Sequence, residues 1–196
     1  MKAPFFKRLL AYVVDIIIIS VVTTLICSAL PTKTDTEEEK LKEISTALIE
    51  KEITPNEYIT EYKNLMYKSN KKEKISLTIN LVLTVAYFVV FQYMNKGQTL
   101  GKKLLGLKVV DKDNKKEISI LKGLLRSILP LSILSNIIAV SLIGILSKNT
   151  YMNLYLTTNE LETIFVIVTL FLILYRKDGR GLHDMIANTM VITEKR

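Results

Sequence analysis

The chain has one cysteine, one histidine and no tryptophan among its 196 residues. A single Cys27 forbids an intrachain disulfide and any cysteine metal cluster. It lies inside a long apolar run, where packing accounts for it. The lone His183 excludes a two-histidine zinc motif, so no metal site is expected. A Walker A lysine loop, a GxGxxG turn and a GxSxG elbow are also absent, and no cofactor is implied. No nucleophile–base set can be assembled from these residues, so an enzyme is not expected.

What the chain has in excess is apolar sequence. Hydrophobic residues make up 49% of it, gathered in uncharged blocks between Lys- and Glu-rich segments. That is the pattern of a multi-pass membrane protein. The net charge of +8 does not point to nucleic acid, because the basic residues flank apolar runs. Their natural partner is the anionic lipid of a cytoplasmic leaflet, and no stacking platform or recognition helix is present.

Four spans are predicted, at about 9–30, 75–94, 128–146 and 161–175. The first (LLAYVVDIIIISVVTTLICSAL) is too long for a signal-peptide core and no small-residue cleavage site follows it, so it is retained. Arg126 and Pro130 interrupt the approach to the third, and Pro130 should kink it. The expected fold is an all-α integral membrane protein with four transmembrane helices, a small cytoplasmic β-hairpin and an external helical hairpin. Lys2, Lys7 and Arg8, the lysines of the 95–120 connection, and Arg176, Lys177, Arg180, Lys195 and Arg196 place both termini in the cytoplasm. Lys68, Lys71, Lys72 and Lys74 oppose this and are outweighed.

Residues 31–74 form the external insertion. Thr36 with Glu39, and Thr54 with Glu57 after Pro55, fit capping boxes. Leu41, Ile44 and Leu48, then Tyr58, Tyr62, Leu65 and Met66, recur at helical spacing. The resulting hairpin is either a spacer or a docking surface for a protein partner.

Asp15 falls inside the first span, where an acid costs roughly 2.5–3.5 kcal/mol on insertion scales. Arg8 stands two turns earlier on nearly the same face, a candidate partner. Gly97, Gln98, Thr99, Gly101 and Lys102 lie where a short amphipathic helix starts at the interface. After it, Leu107–Asp111 and Lys116–Ile120 are predicted to pair around Asp113-Asn114. Arg180, His183 and Asp184 follow the fourth span, and Asp184 opens an amphipathic stretch with Met185, Ile186, Met190 and Ile192. Asp184 either caps that helix or pairs with Arg8 or Arg126. His183 either titrates near neutrality or packs.

These segments together resemble the RDD family of small bacterial membrane proteins, named for an arginine and two aspartates. Arg8 and Asp15 match its first-span pair. Gly97-Gln98-Thr99-Leu100-Gly101-Lys102 with Leu107-Lys108-Val109-Val110 matches its middle signature, and Arg126 its downstream arginine. Arg180-Gly181-Leu182-His183-Asp184 with Thr189 and Val191 is similar to its closing motif, which makes Asp184 the second aspartate. Ala187-Asn188 departs from the family's small-residue pattern, and 31–74 stands outside the resemblance.

The resemblance implies a location in the bacterial plasma membrane, and transport, including cation/proton exchange. In that reading Arg8, Asp15, Arg126 and Asp184 form a polar or ion site, Arg8 tunes Asp15, and so few spans require a homo-oligomer. The rival is a non-catalytic membrane module that scaffolds a partner, with the Arg/Asp pairs as structural clamps.

Overall fold

The computed structural model describes residues 2–29 and 36–194. Helix α1 (Phe5–Ser28) runs for 24 residues. At about 1.5 Å per residue it exceeds the ~30 Å hydrocarbon layer of a bilayer. It is followed by α2 (Thr36–Ile49) and α3 (Pro55–Lys72), which pack together as a hairpin. Thr54 starts α3 with a reciprocal capping box: its side chain accepts from Glu57 N, and Glu57 accepts from Thr54 N at 2.8 Å. The predicted Thr36 capping box falls on a side chain outside the described residues, although α2 does begin at Thr36.

A near-continuous rod follows, α4 (Lys74–Val85), a π-helical stretch (Ala86–Phe91) and α5 (Gln92–Met94). Next come α6 (Leu100–Leu104), strand β1 (Leu107–Asp111), α7 (Ile120–Ser127), α8 (Ile133–Leu142), α9 (Lys148–Tyr175), α10 (Leu182–Ile186) and β2 (Thr189–Thr193). Among the described residues, α1, the Lys74–Met94 rod and α9 are long and apolar enough to cross a membrane.

The burial pattern is inverted relative to a water-soluble helix bundle. Helix α1 buries Ala11, Asp15 and Ile19, while Ile17, Val21 and Leu25 are exposed. Helix α9 likewise buries Glu162 and exposes Leu161, Ile164 and Phe171. Acids inside and aliphatics outside suit a hydrocarbon solvent, in which polar groups must find partners within the protein.

Four expectations change. The predicted third span is not one helix: α7 ends at Ser127 and α8 holds only 10 residues, about 15 Å of rise. Pro130 supplies no backbone donor, and Ser132 adopts φ 51°, which breaks the helix between them. The last long helix starts at Lys148, well before the expected 161. Ser147 caps it, accepting from Thr150 N at 3.3 Å, and its polar first turns remain helical.

The third change concerns the sheet. β1 pairs antiparallel with β2, Val109 opposite Val191, rather than with 116–120. Only one isolated bridge, Val110 to Glu117, remains of the predicted hairpin. Val191 and Ile118 both pack in one core with Val109, so the return stays beside β1 at Glu117 while the ladder itself is made with β2. Fourth, the stretch after Asp184 is therefore not one amphipathic helix but α10 followed by β2.

The sheet also joins the chain ends. Ala3 N donates to Val191 O at 3.1 Å, and Lys2 bridges Ile192. A core of Ala3, Ala11, Leu107, Val109, Ile118 and Val191 fills this end. A second core of Ile138, Ile143, Tyr151 and Met152 lies elsewhere, with Met66 and Tyr67 of α3 packed on it.

Candidate functional site

Two buried carboxylates organise the end of the molecule where Lys2 and Ala3 meet β2. Asp15 is fully buried. Its Oδ1 accepts from Tyr87 Oη at 2.6 Å and from Gly101 N at 2.7 Å, and its Oδ2 from Thr99 Oγ1 at 2.5 Å. Lys102 Nζ lies 3.8 Å from Oδ2.

The loop that delivers these groups is fixed locally. Gly97, at φ 88°, closes α5 with its N–H on Gln92 O at 2.7 Å. Thr99 then caps α6 and presents the first-turn N–H of Gly101 to the carboxylate. Gly101 has no room for a side chain: a Cβ would overlap the Ala11 carbonyl oxygen and stand 2.8 Å from Asp15 Oδ1. Lys102 Nζ donates to Gln92 Oε1 at 3.0 Å and Thr99 Oγ1 at 3.2 Å. Burial, aided by Arg126, pushes the Lys102 amine down to about 7 against the pull of Asp15.

Asp184 forms the second centre and is also fully buried. Arg8 Nη2 donates to Oδ2 at 2.5 Å and Arg126 Nη2 to Oδ1 at 3.1 Å. His183 Nε2 is 3.3 Å from Oδ1, Gly181 N is 3.3 Å from Oδ2, and Thr189 Oγ1 is 3.4 Å from Oδ1. Arg8 also donates to Gly179 O. Burial alone would raise the Asp184 carboxyl, but His183, Arg8 and Arg126 outweigh it and hold it well below the usual carboxylate range. For His183 burial wins: its imidazole lies below the usual value, with Asp184 opposing.

The set Arg8, Asp15, Arg126 and Asp184 thus divides. Arg8 and Arg126 both go to Asp184, and Asp15 takes Lys102 as its nearest cation. Two turns of helix separate Arg8 from Asp15 by about 10 Å along the axis, so each meets a different neighbour. Of the motif residues, Thr99, Gly101 and Lys102 surround Asp15, and His183 and Thr189 touch Asp184. Gly97 shapes the loop. Gln98 Nε2 donates to Leu107 O at 2.8 Å and to Glu194 Oε2 at 3.0 Å. Arg180 straps backbone instead, Nε to Thr189 O and Nη2 to Asp184 O, both at 2.9 Å.

Two participants carried no usable sequence signal or one not read. Tyr87, in an apolar span, looks like packing until its hydroxyl is seen on Asp15. Glu162 is an acid in a membrane helix, the same signal that singled out Asp15. Its Oε1 accepts from Leu134 N at 3.1 Å and Ser135 N at 3.2 Å, capping the broken α8. Among the described residues no group of three His, Cys, Asp or Glu is placed to hold a metal ion.

Apolar helices long enough to cross a bilayer, wrapped around paired acids, define an integral membrane protein of the helical, multi-pass class. The RDD family model matches residues 2–188, and the chain belongs to the RDD family. No curated protein and no solved structure matches it.

Proposed function

We propose that this protein is a non-catalytic membrane module whose two carboxylate centres lock its cytoplasmic face into a pre-assembled platform for a partner. The observation that carries this is the saturation of Asp15. It is fully buried and takes two hydroxyls and one backbone N–H, with the Lys102 amine beside them. A transport carboxylate must exchange ligands, whereas one on α1 held by a side chain of the π-helical stretch and by backbone and side chains of α6 is suited to hold the three together.

The topology supporting this reading has four crossings, the third made by α7 and α8 and broken at Pro130. The N-terminal stub, the 95–120 connection and the C-terminal segment then share the cytoplasmic side of a bacterial plasma membrane. The α2–α3 hairpin lies on the far side, available to a protein partner or a second copy. The test is Asp15→Asn in full-length protein. The module reading expects lower abundance and a lower melting temperature. Folded, abundant and inactive D15N protein would count against it.

Cation/proton exchange is the second reading, and a specific observation favours it. Glu162 is 1% exposed, caps a broken helix inside the apolar layer, and leaves Oε2 with no hydrogen-bond partner. Interrupted helices with such acids are where transporters hold ions. Ion-driven proton flux in proteoliposomes that is lost in Glu162→Gln would establish exchange. Absence of flux from the wild-type protein would remove it.

A further inference from the structure

We infer that the cavity between the two carboxylate centres is a binding site for an anionic phosphate group, with an amphiphilic lipid as its source. The cavity measures about 140 Å³. One water occupies roughly 10–15 Å³ of such space, so the site takes something much larger. Its polar lining includes Arg8, Gln92, Lys102, Arg126, Thr169 and His183.

The donor chemistry is unfinished. Among the described residues six buried side-chain polar atoms lack a hydrogen-bond partner. Four are carried by side chains that line this cavity: Gln92 Nε2, Arg126 Nη1, Thr169 Oγ1 and His183 Nδ1. Gln92, Arg126 and Thr169 are 2, 7 and 5% exposed, so bulk water does not satisfy them. Each unpaired buried group carries a desolvation cost that no hydrogen bond offsets. Four gathered on one cavity are more economically explained by a shared ligand than by four separate defects.

The charge has the right sign. Arg8 and Arg126 balance the carboxylates of Asp15 and Asp184, both already hydrogen-bonded, and Lys102, whose amine burial holds at about 7, becomes fully charged when an anion binds beside it. An anion would complete the balance and pair with the guanidinium, which is well matched to phosphate oxygens. His183 Nε2 faces Asp184, so Nδ1 accepts a hydrogen bond when the ring is neutral and donates when it is charged.

Much of the remaining lining is apolar. Leu9, Tyr12 and Leu170 line the cavity and remain 36, 40 and 37% exposed on the outer faces of α1 and α9. A headgroup in the cavity would therefore leave its acyl chains along surfaces that already face the bilayer. A free phosphate would use the donors and leave this apolar lining without a role. The inference does not depend on whether the protein scaffolds or exchanges ions.

The experiment uses full-length protein in detergent. Thermal unfolding is followed with dioctanoyl-phosphatidylglycerol, with the uncharged dioctanoylglycerol, and with inorganic phosphate. Phosphatidylglycerol should raise the melting temperature and dioctanoylglycerol should not. A comparable rise with inorganic phosphate would support the phosphate site and assign it a soluble ligand. Thr169→Val removes a hydroxyl that bonds nothing inside the protein, and should weaken binding about tenfold. Gln92→Glu keeps an acceptor for Lys102 but replaces the free donor with negative charge, and should abolish binding. Equal stabilisation by the uncharged lipid, or wild-type binding by Gln92→Glu, would overturn the inference.

Discussion

Arg8 and Asp184 lie 176 residues apart in the chain and 2.5 Å apart in space. Their contact ties the first turn of α1 to α10 and, through Thr189 and β2, to the strand that also holds Ala3. Asp184→Asn leaves Arg8 and Arg126 buried without a counter-charge. Breaking one partner of a buried pair costs about 3–5 kcal/mol. The exposed Arg176–Asp178 pair is the control. Its arginine holds the Asp178 carboxyl down to about 2, yet both side chains are more than a third exposed. Asp178→Asn should change stability by less than about 1 kcal/mol. Melting of both variants in detergent checks the contrast, and similar losses would contradict it.

Gly101→Ala forces a methyl into the Ala11 carbonyl and the Asp15 carboxylate. The cost expected from overpacking is about 1–3 kcal/mol, and it falls on the contact between α6 and α1. Limited trypsin digestion at Lys102 and Lys103 reports the detachment: cleavage should accelerate in the variant. Unaltered cleavage and melting would show that the loop can shift away without loss.

Legibility in the sequence followed the range of the interaction. The Thr54–Glu57 capping box spans three residues, and it is formed. Long apolar helices were visible because hydrocarbon requires them. Strand β1 was visible as a strand, but its partner was assigned to the nearest polar return, since nothing local in Leu107–Asp111 points to Thr189–Thr193. Helical periodicity put Arg8 with Asp15, a pairing the fold does not make, whereas Arg8 and Arg126 were read as alternative partners of Asp184, which takes both. The start of α9 was missed because polar residues such as Asn153 and Asn159 ended the apolar run before the helix did.

The strand register gives a topological prediction. Val109 N donates to Gly97 O, and Val191 O accepts from Ala3, so the facing pair Val109–Val191 exchanges no hydrogen bond. Such pairs bring Cα atoms to about 4.5 Å, within disulfide reach. With Cys27 replaced by alanine, Val109→Cys combined with Val191→Cys should oxidise to an intrachain bridge. Val109→Cys with Met190→Cys, one residue out of register and on the opposite face of the sheet, should not. The reverse result would overturn the register.

Lys102 makes the pH dependence of stability predictable. Its amine titrates near 7 in the folded protein, against 10.5 for an ordinary lysine. Between these values the unfolded chain binds more protons, so this residue makes stability rise with pH. Below about 7 both states are protonated and the cost of burying the charge is complete. The slope approaches at most about 1.4 kcal/mol per pH unit. Relative to Lys102→Met, the wild-type protein should therefore gain melting temperature from pH 7 to 9. Parallel profiles would show that the amine is not depressed.

Glu162 separates capping from charge. Oε1 receives the N–H groups of Leu134 and Ser135, which the break after α7 leaves without helical partners. Glu162→Ala removes the acceptor, and loss of an N-terminal cap costs about 0.5–2 kcal/mol. Glu162→Gln keeps a carbonyl oxygen for the same two donors while discarding the negative charge that favours a helix N-terminus. Amide exchange at Leu134 and Ser135 should accelerate strongly in the alanine variant and weakly in the glutamine variant. If both accelerate equally, the carboxylate acts through its charge. A Glu162→Gln protein whose exchange at Leu134 and Ser135 stays close to wild type is then suitable for the proteoliposome flux measurement, where loss of flux could not be ascribed to unravelling of α8.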